Sequence, residues 1–133
     1  MGGDASARGR ANRAKGQRFE RWVVGELRGI GFEHARCGLQ AAGAVVADVE
    51  GVPGWWIECQ SATRPTPGAK LEQARRDAAE WARRNPDETP RVVVVLAHRS
   101  GAPLDSTEAT LWCDAWGCYA TIPIAEWLRM VAP

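Results

Sequence analysis

A-D-V-E-G-V-P-G-W-W-I-E-C-Q-S, residues 47–61, decides how the rest of the chain is arranged. Glu50, Gly51, Val52, Pro53 and Gly54 carry turn chemistry. The spacing predicts an incoming strand over residues 45–50 and an outgoing strand over residues 54–62. Side chains alternate along a strand, so Trp56, Glu58 and Gln60 share one face and Trp55, Ile57 and Cys59 the other. A strand this apolar is expected to be buried on both faces. A carboxylate inside it is costly unless it is paired or binds a cation. The hairpin returns Asp48 to the side of Glu58, and two carboxylates converging there suggest a metal site.

Working outward, the N-terminal side predicts a helix over residues 11–30. Phe19, Trp22, Val23, Leu27 and Ile30 recur at helical spacing as its buried stripe, and Gly31 is a natural stop. Glu20 lies beside that stripe, either flanking the core in solvent or leaning over the hairpin. Residues 32–37 read as a first strand and residues 38–43 as a loop. Beyond the hairpin, Pro67 suits a first helical turn, and a second helix is expected over residues 68–84. Leu71, Ala74, Ala78 and Trp81 mark its inner face. The valine run of residues 91–97 reads as another strand buried on both faces. Residues 110–114 and 118–121 form a later strand pair, and Pro123 opens a terminal helix. The order α-β-β-β-α-β, then two strands and a helix, predicts an α/β fold with a mixed central sheet flanked by helices. Trp22, Trp81 and Trp127 fall on helix stripes, so the seven tryptophans read mostly as core rather than as a base-stacking platform.

A length of 133 residues suits one compact domain, expected over residues 11–133 behind a flexible basic arm of residues 1–10. The net charge of +1 conceals an asymmetry. Arg8, Arg10, Arg13, Lys15, Arg18 and Arg21 crowd the N-terminus against Asp4 and Glu20 alone. Such a cluster holds a polyanion or simply keeps a tail soluble. No apolar run is long enough to span a membrane, and no signal-peptide core opens the chain, so a soluble, cytoplasmic protein is expected. Cys37, Cys59, Cys113 and Cys118 contain no C-x-x-C pair, which argues against structural zinc. His34 and His98 lack a nucleophile motif and read as ordinary strand or loop residues.

The order of elements, together with D-x9-E-x-Q from Asp48 to Gln60, resembles the PD-(D/E)xK nuclease superfamily. The chain looks like the small phage-type members related to Holliday-junction resolvases. The resemblance covers residues 11–97. Gly16, Gln17, Arg18, Phe19 and Glu20 match the family's G-x-x-F-E-like helical segment, Asp48 its strand acid, and Glu58, Cys59 and Gln60 its E-x-K. Leu71 to Ala74, L-E-Q-A, resembles the start of the helix that follows.

The resemblance implies a restriction-endonuclease-like αβββαβ core and metal-dependent cleavage of DNA, junctions or other branched forms included. Mg2+ or Mn2+ would be the cofactor, since each prefers oxygen ligands and keeps several waters. Asp48, Glu58 and the Cys59 backbone carbonyl would hold it, and Glu20 would orient a bound water or hold a second ion. Arg8, Arg10, Arg13, Lys15, Arg18 and Lys70 would contact phosphates. A homodimer is the family-based expectation. Gln60 departs from the family's lysine: it can hydrogen-bond the attacking water but carries no charge. Lys70 is expected either as a substitute cation or as a solvated, phosphate-contacting lysine, and Gln73 faces either the site or solvent. The alternative to an enzyme is a catalytically silent DNA-binding protein on the same scaffold.

Overall fold

A computed structural model describes residues 2–39 and 45–133, with side chains from Ala7 onward. The described residues form three α-helices and one mixed six-stranded sheet in the order β1-β2-β3-β4-β5-β6. The strands are β1 (Arg36–Cys37), β2 (Val49–Glu50), β3 (Trp55–Ala62), β4 (Val92–Arg99), β5 (Glu108–Cys113) and β6 (Cys118–Pro123). The helices are α1 (Gly2–Gly29), α2 (Pro67–Arg84) and α3 (Ile124–Val131). Every neighbouring pair is antiparallel except β3 and β4, which run parallel through the α2 crossover. That order realises the expected strand meander, crossover and later strand pair.

Period-two alternation in β3 and β4 splits the core into two layers. Ile57, Cys59, Val94 and Leu96 face Phe19, Val23, Val24 and Leu27 of α1, together with Ile124 and Trp127 of α3. Trp56, Val93 and Val95 face Leu71, Ala74 and Ala78 of α2. Residues 56–59 are all buried, as a strand covered on both sides requires. Trp127 is fully buried, and Trp22 and Trp81 are partly buried against the two layers. Trp116 lies in the turn between β5 and β6 and stands 77% exposed.

Three boundaries differ from the sequence reading. α1 begins at Gly2 rather than at residue 11, so residues 2–10 are helical; Ala and Arg, which recur there, have high helix propensity. Of the segment expected as strand over 32–37, only Arg36–Cys37 pairs. Phe32 N–H instead donates to Leu27 O at 3.0 Å and Ala35 N–H to Phe32 O at 3.1 Å, a turn that closes α1. The incoming hairpin strand is likewise reduced to Val49–Glu50. Most of the loop expected over 38–43 lies outside the described residues. Among the described residues no helix is long and apolar enough to cross a membrane.

Candidate metal centre

The register Val49↔Ile57 sets Asp48 beside Glu58, as the hairpin reading requires. Asp48 is the residue at which β2 stops pairing. Its Oδ2 takes the place of a strand partner and accepts the Cys59 N–H at 2.9 Å. Its own carbonyl accepts the Gly38 N–H at 2.8 Å. Asp48 is thus held through both backbone and side chain, where β3 runs on past its last β2 partner among the described residues. Cys59 enters through its N–H, whereas its carbonyl was expected to serve. The N–H and C=O of one strand residue point to the same edge, so that carbonyl shares the Asp48 side.

Glu58 is 6% exposed. Its Oε1 accepts the Trp56 indole N–H at 2.8 Å, and Lys70 Nζ stands 3.8 Å from its Oε2. Trp56 and Glu58 share a face two residues apart, so this bond follows from strand geometry. Burial, then the hydrogen bond and like charge of Asp48, push the Glu58 carboxyl up to about 8; the Trp56 indole and Lys70 pull it down. Glu20 reaches the same centre from α1. Half-burial and then Asp48 raise its carboxyl, and Lys70 opposes them. Burial, followed by the surrounding carboxylates, also drives the Cys59 thiol well up, so it stays protonated. Asp48 therefore acts on both Glu20 and Glu58 at the end of the β2–β3 hairpin, and the Lys70 ammonium opposes it at each.

Gln60, expected to orient the attacking water, is joined to Thr66. Its Oε1 accepts the Thr66 N–H at 3.0 Å and its Nε2 donates to Thr66 Oγ1 at 3.2 Å. Both ends of the amide fasten the turn between β3 and α2. Gln73 is exposed and pairs with Asp77 at 3.1 Å and Arg76 at 2.9 Å, on the solvent side of α2. Lys70 is the residue that α2 brings to the centre. Arg8, Arg10, Arg13, Lys15 and Arg18 are all exposed along α1.

A groove of about 550 Å³ opens beside Glu20, between α1 and the end of β1; Arg13, Gln17, Arg21 and Gly38 line it. On the other flank of α1, a pocket of about 290 Å³ lies between Lys15, Arg18 and Leu104. At its base Ser61 Oγ and His98 Nδ1 are 2.9 Å apart, and His98 Nε2 is 2.9 Å from Ala102 O. Sequence reasoning passed over this pair because Ser61 and His98 come together only through the β3–β4 register.

The donors suit a hard divalent cation. Two converging carboxylates leave room for retained waters, the usual way in which Mg2+ is held. Burial, then the hydrogen bond and charge of Asp48, let Glu58 keep a proton to about 8, and a cation between the two carboxylates would favour its ionised form. Among the described residues, no three His, Cys, Asp or Glu side chains close into a complete ligand cluster, so waters or substrate oxygens would have to fill the coordination sphere. Compared with family models, curated proteins and solved structures, the chain matches none.

Proposed function

We propose that this chain is a metal-dependent DNA endonuclease of the PD-(D/E)xK type, built on a restriction-endonuclease-like core and acting on duplex or branched DNA. The observation that carries the reading is the convergence of Asp48 and Glu58, with the Lys70 ammonium 3.8 Å from Glu58. Asp48 and Glu58 would hold Mg2+ or Mn2+, with the Cys59 carbonyl on the same edge. The bound ion would supply Lewis acidity and charge neutralisation for phosphodiester hydrolysis. Lys70 takes the part of the missing strand lysine. Its ammonium, arriving from α2, orients the attacking water and stabilises charge on the phosphate oxygens. Glu20 orients water from the opposite side. Gln60 holds the turn that brings Lys70 in, which makes it a positioning residue.

Incubation of the protein with junction, flap and linear DNAs, in Mg2+, Mn2+ or chelator, tests this. Cleavage should require the metal. Lys70→Met should lower it by about 10²-fold or more. Gln60→Ala should act more weakly, because a turn hydrogen bond contributes only about 1 kcal/mol. Metal-dependent cutting indifferent to Lys70→Met would remove Lys70 from the mechanism. A second reading, a silent DNA-binding protein, draws on Gln60, whose amide is committed to Thr66. DNA binding without cleavage under every metal condition would favour it, and binding to no DNA would reject both readings.

A further inference from the structure

Among the side chains described, Phe19 is the first of α1 to be buried. The helix before it, Gly2 to Arg18, extends about 25 Å at 1.5 Å per residue. From Ala7 to Arg18 every side chain is exposed apart from the part-exposed Gly9 and Gly16. A helix with no apolar face buried over this stretch needs a partner or many internal pairs. Among the described residues Arg8, Arg10, Arg13, Lys15 and Arg18 form no ion pair. Their distribution is not one-sided. At about 3.6 residues per turn, Arg8 and Lys15 stack on one flank, joined by Arg18, while Arg10, Arg13 and Arg21 stack on the other. The hollows on each side agree: Lys15 and Arg18 border one, Arg13 and Arg21 the other. Ala7, Gly9, Ala11, Ala14 and Gly16 keep the rod thin between its charges.

Resting on the DNA reading above, we propose that this free half of α1 lies in the major groove of a duplex arm of the substrate. The phosphates of the two strands then meet its two basic flanks. The major groove of B-DNA is about 12 Å wide and admits one α-helix. Charges on opposite flanks fit two phosphate walls, whereas a membrane surface calls for a basic face backed by an apolar one. Single-stranded DNA is held largely by aromatic stacking, and residues 2–18 contain no aromatic side chain. Glu20 follows directly on this segment, so the groove-bound helix delivers the duplex to the centre formed with Asp48 and Glu58.

Binding measured in chelator separates this from catalysis. The probe is a duplex of about 20 base pairs, its single strand serving as comparison, titrated over a range of salt. Arg8→Ala with Lys15→Ala, and separately Arg10→Ala with Arg13→Ala, should each flatten the log affinity against log salt slope by roughly 1.8, about 0.9 per lost contact. Glucosylated hydroxymethylcytosine, which fills the major groove, should weaken binding at least about tenfold, and netropsin in the minor groove should not. If only one flank changes the slope, or netropsin displaces the protein while glucosylation does not, the groove assignment falls and the nuclease reading stands. If the protein binds no DNA, both fall.

Discussion

Glu58 carries a proton to about 8 because it is buried against Asp48, and that has a sign. The folded chain holds this proton more tightly than an unfolded carboxyl of pKa about 4.3. Without metal, the contribution of Glu58 to stability is therefore complete below about pH 4 and is lost as pH rises towards 8. Glu58→Gln, which keeps an oxygen for the Trp56 indole, should flatten that dependence and raise the denaturation midpoint at pH 8 relative to pH 5. An unchanged pH profile in the variant would contradict the convergence. Metal binding must also displace the proton. Mn2+ titrated calorimetrically at pH 7 in buffers of different ionisation enthalpy should release close to one proton, with affinity rising until about pH 8. Asp48→Asn with Glu58→Gln should abolish binding; Mn2+ affinity unaltered in that double variant would place any metal elsewhere. The carboxylates were legible because strand alternation and a short turn fix their direction. For Lys70 the sequence left two readings open, a substitute cation or a solvated lysine, because its reach depends on how α2 docks; its ammonium stands 3.8 Å from Glu58. Gln60 was assigned to the right face, but a face does not name a partner, and Thr66 lies beyond the strand.

At the scale of elements, the centre depends on how little of β2 is strand. Had pairing continued past Val49, the Cys59 N–H would have met a backbone carbonyl and released Asp48. Gly38 enforces the arrangement: a Cβ there would lie 2.0 Å from the Ala47 carbonyl oxygen. Gly38→Ala must therefore shift the backbone that holds Asp48. It should weaken Mn2+ binding by at least about tenfold while costing about 1–3 kcal/mol of stability, as overpacking does. Parallel metal titration and denaturant unfolding read the two effects, and wild-type affinity in a folded variant would acquit Gly38. Hydrophobic pattern predicted the elements well wherever they are long, as in β3, α2 and β4. It overextended β1 and β2, where apolar residues such as Phe32 and Val45 serve the core without pairing. At α1 it understated the helix, because the signal used was an apolar stripe and residues 2–10 have none.

Across the whole molecule, α1 and α3 close one face of the sheet and α2 the other. Trp127 is the keystone of the first layer: fully buried, it meets Trp55 edge-on at 5.6 Å between ring centroids. Among the described residues its indole nitrogen has no hydrogen-bond partner. An unpaired buried donor costs about 1–3 kcal/mol, while the ring itself stabilises through packing. Trp127→Phe should accordingly be within about 1 kcal/mol of wild type, and Trp127→Ala should lose about 3–5 kcal/mol. Equal losses in chemical denaturation would show that the nitrogen has a partner in solution. The layered architecture itself was readable, since the order of elements admits few right-handed, uncrossed sheets.

Strand order equal to chain order has a kinetic consequence. Each strand pairs with the one before it, so during synthesis the sheet can grow by addition at a single edge. The β3–α2–β4 closure is its longest step. Contacts between near neighbours in sequence favour fast folding. The exception is α1, made before the sheet, whose stripe of Phe19, Val23 and Leu27 must wait for Val94, Leu96 and finally Trp127. On the ribosome α1 therefore emerges before the strands it packs on and is among the last elements to be covered, and its crowded positive charge keeps that waiting surface soluble.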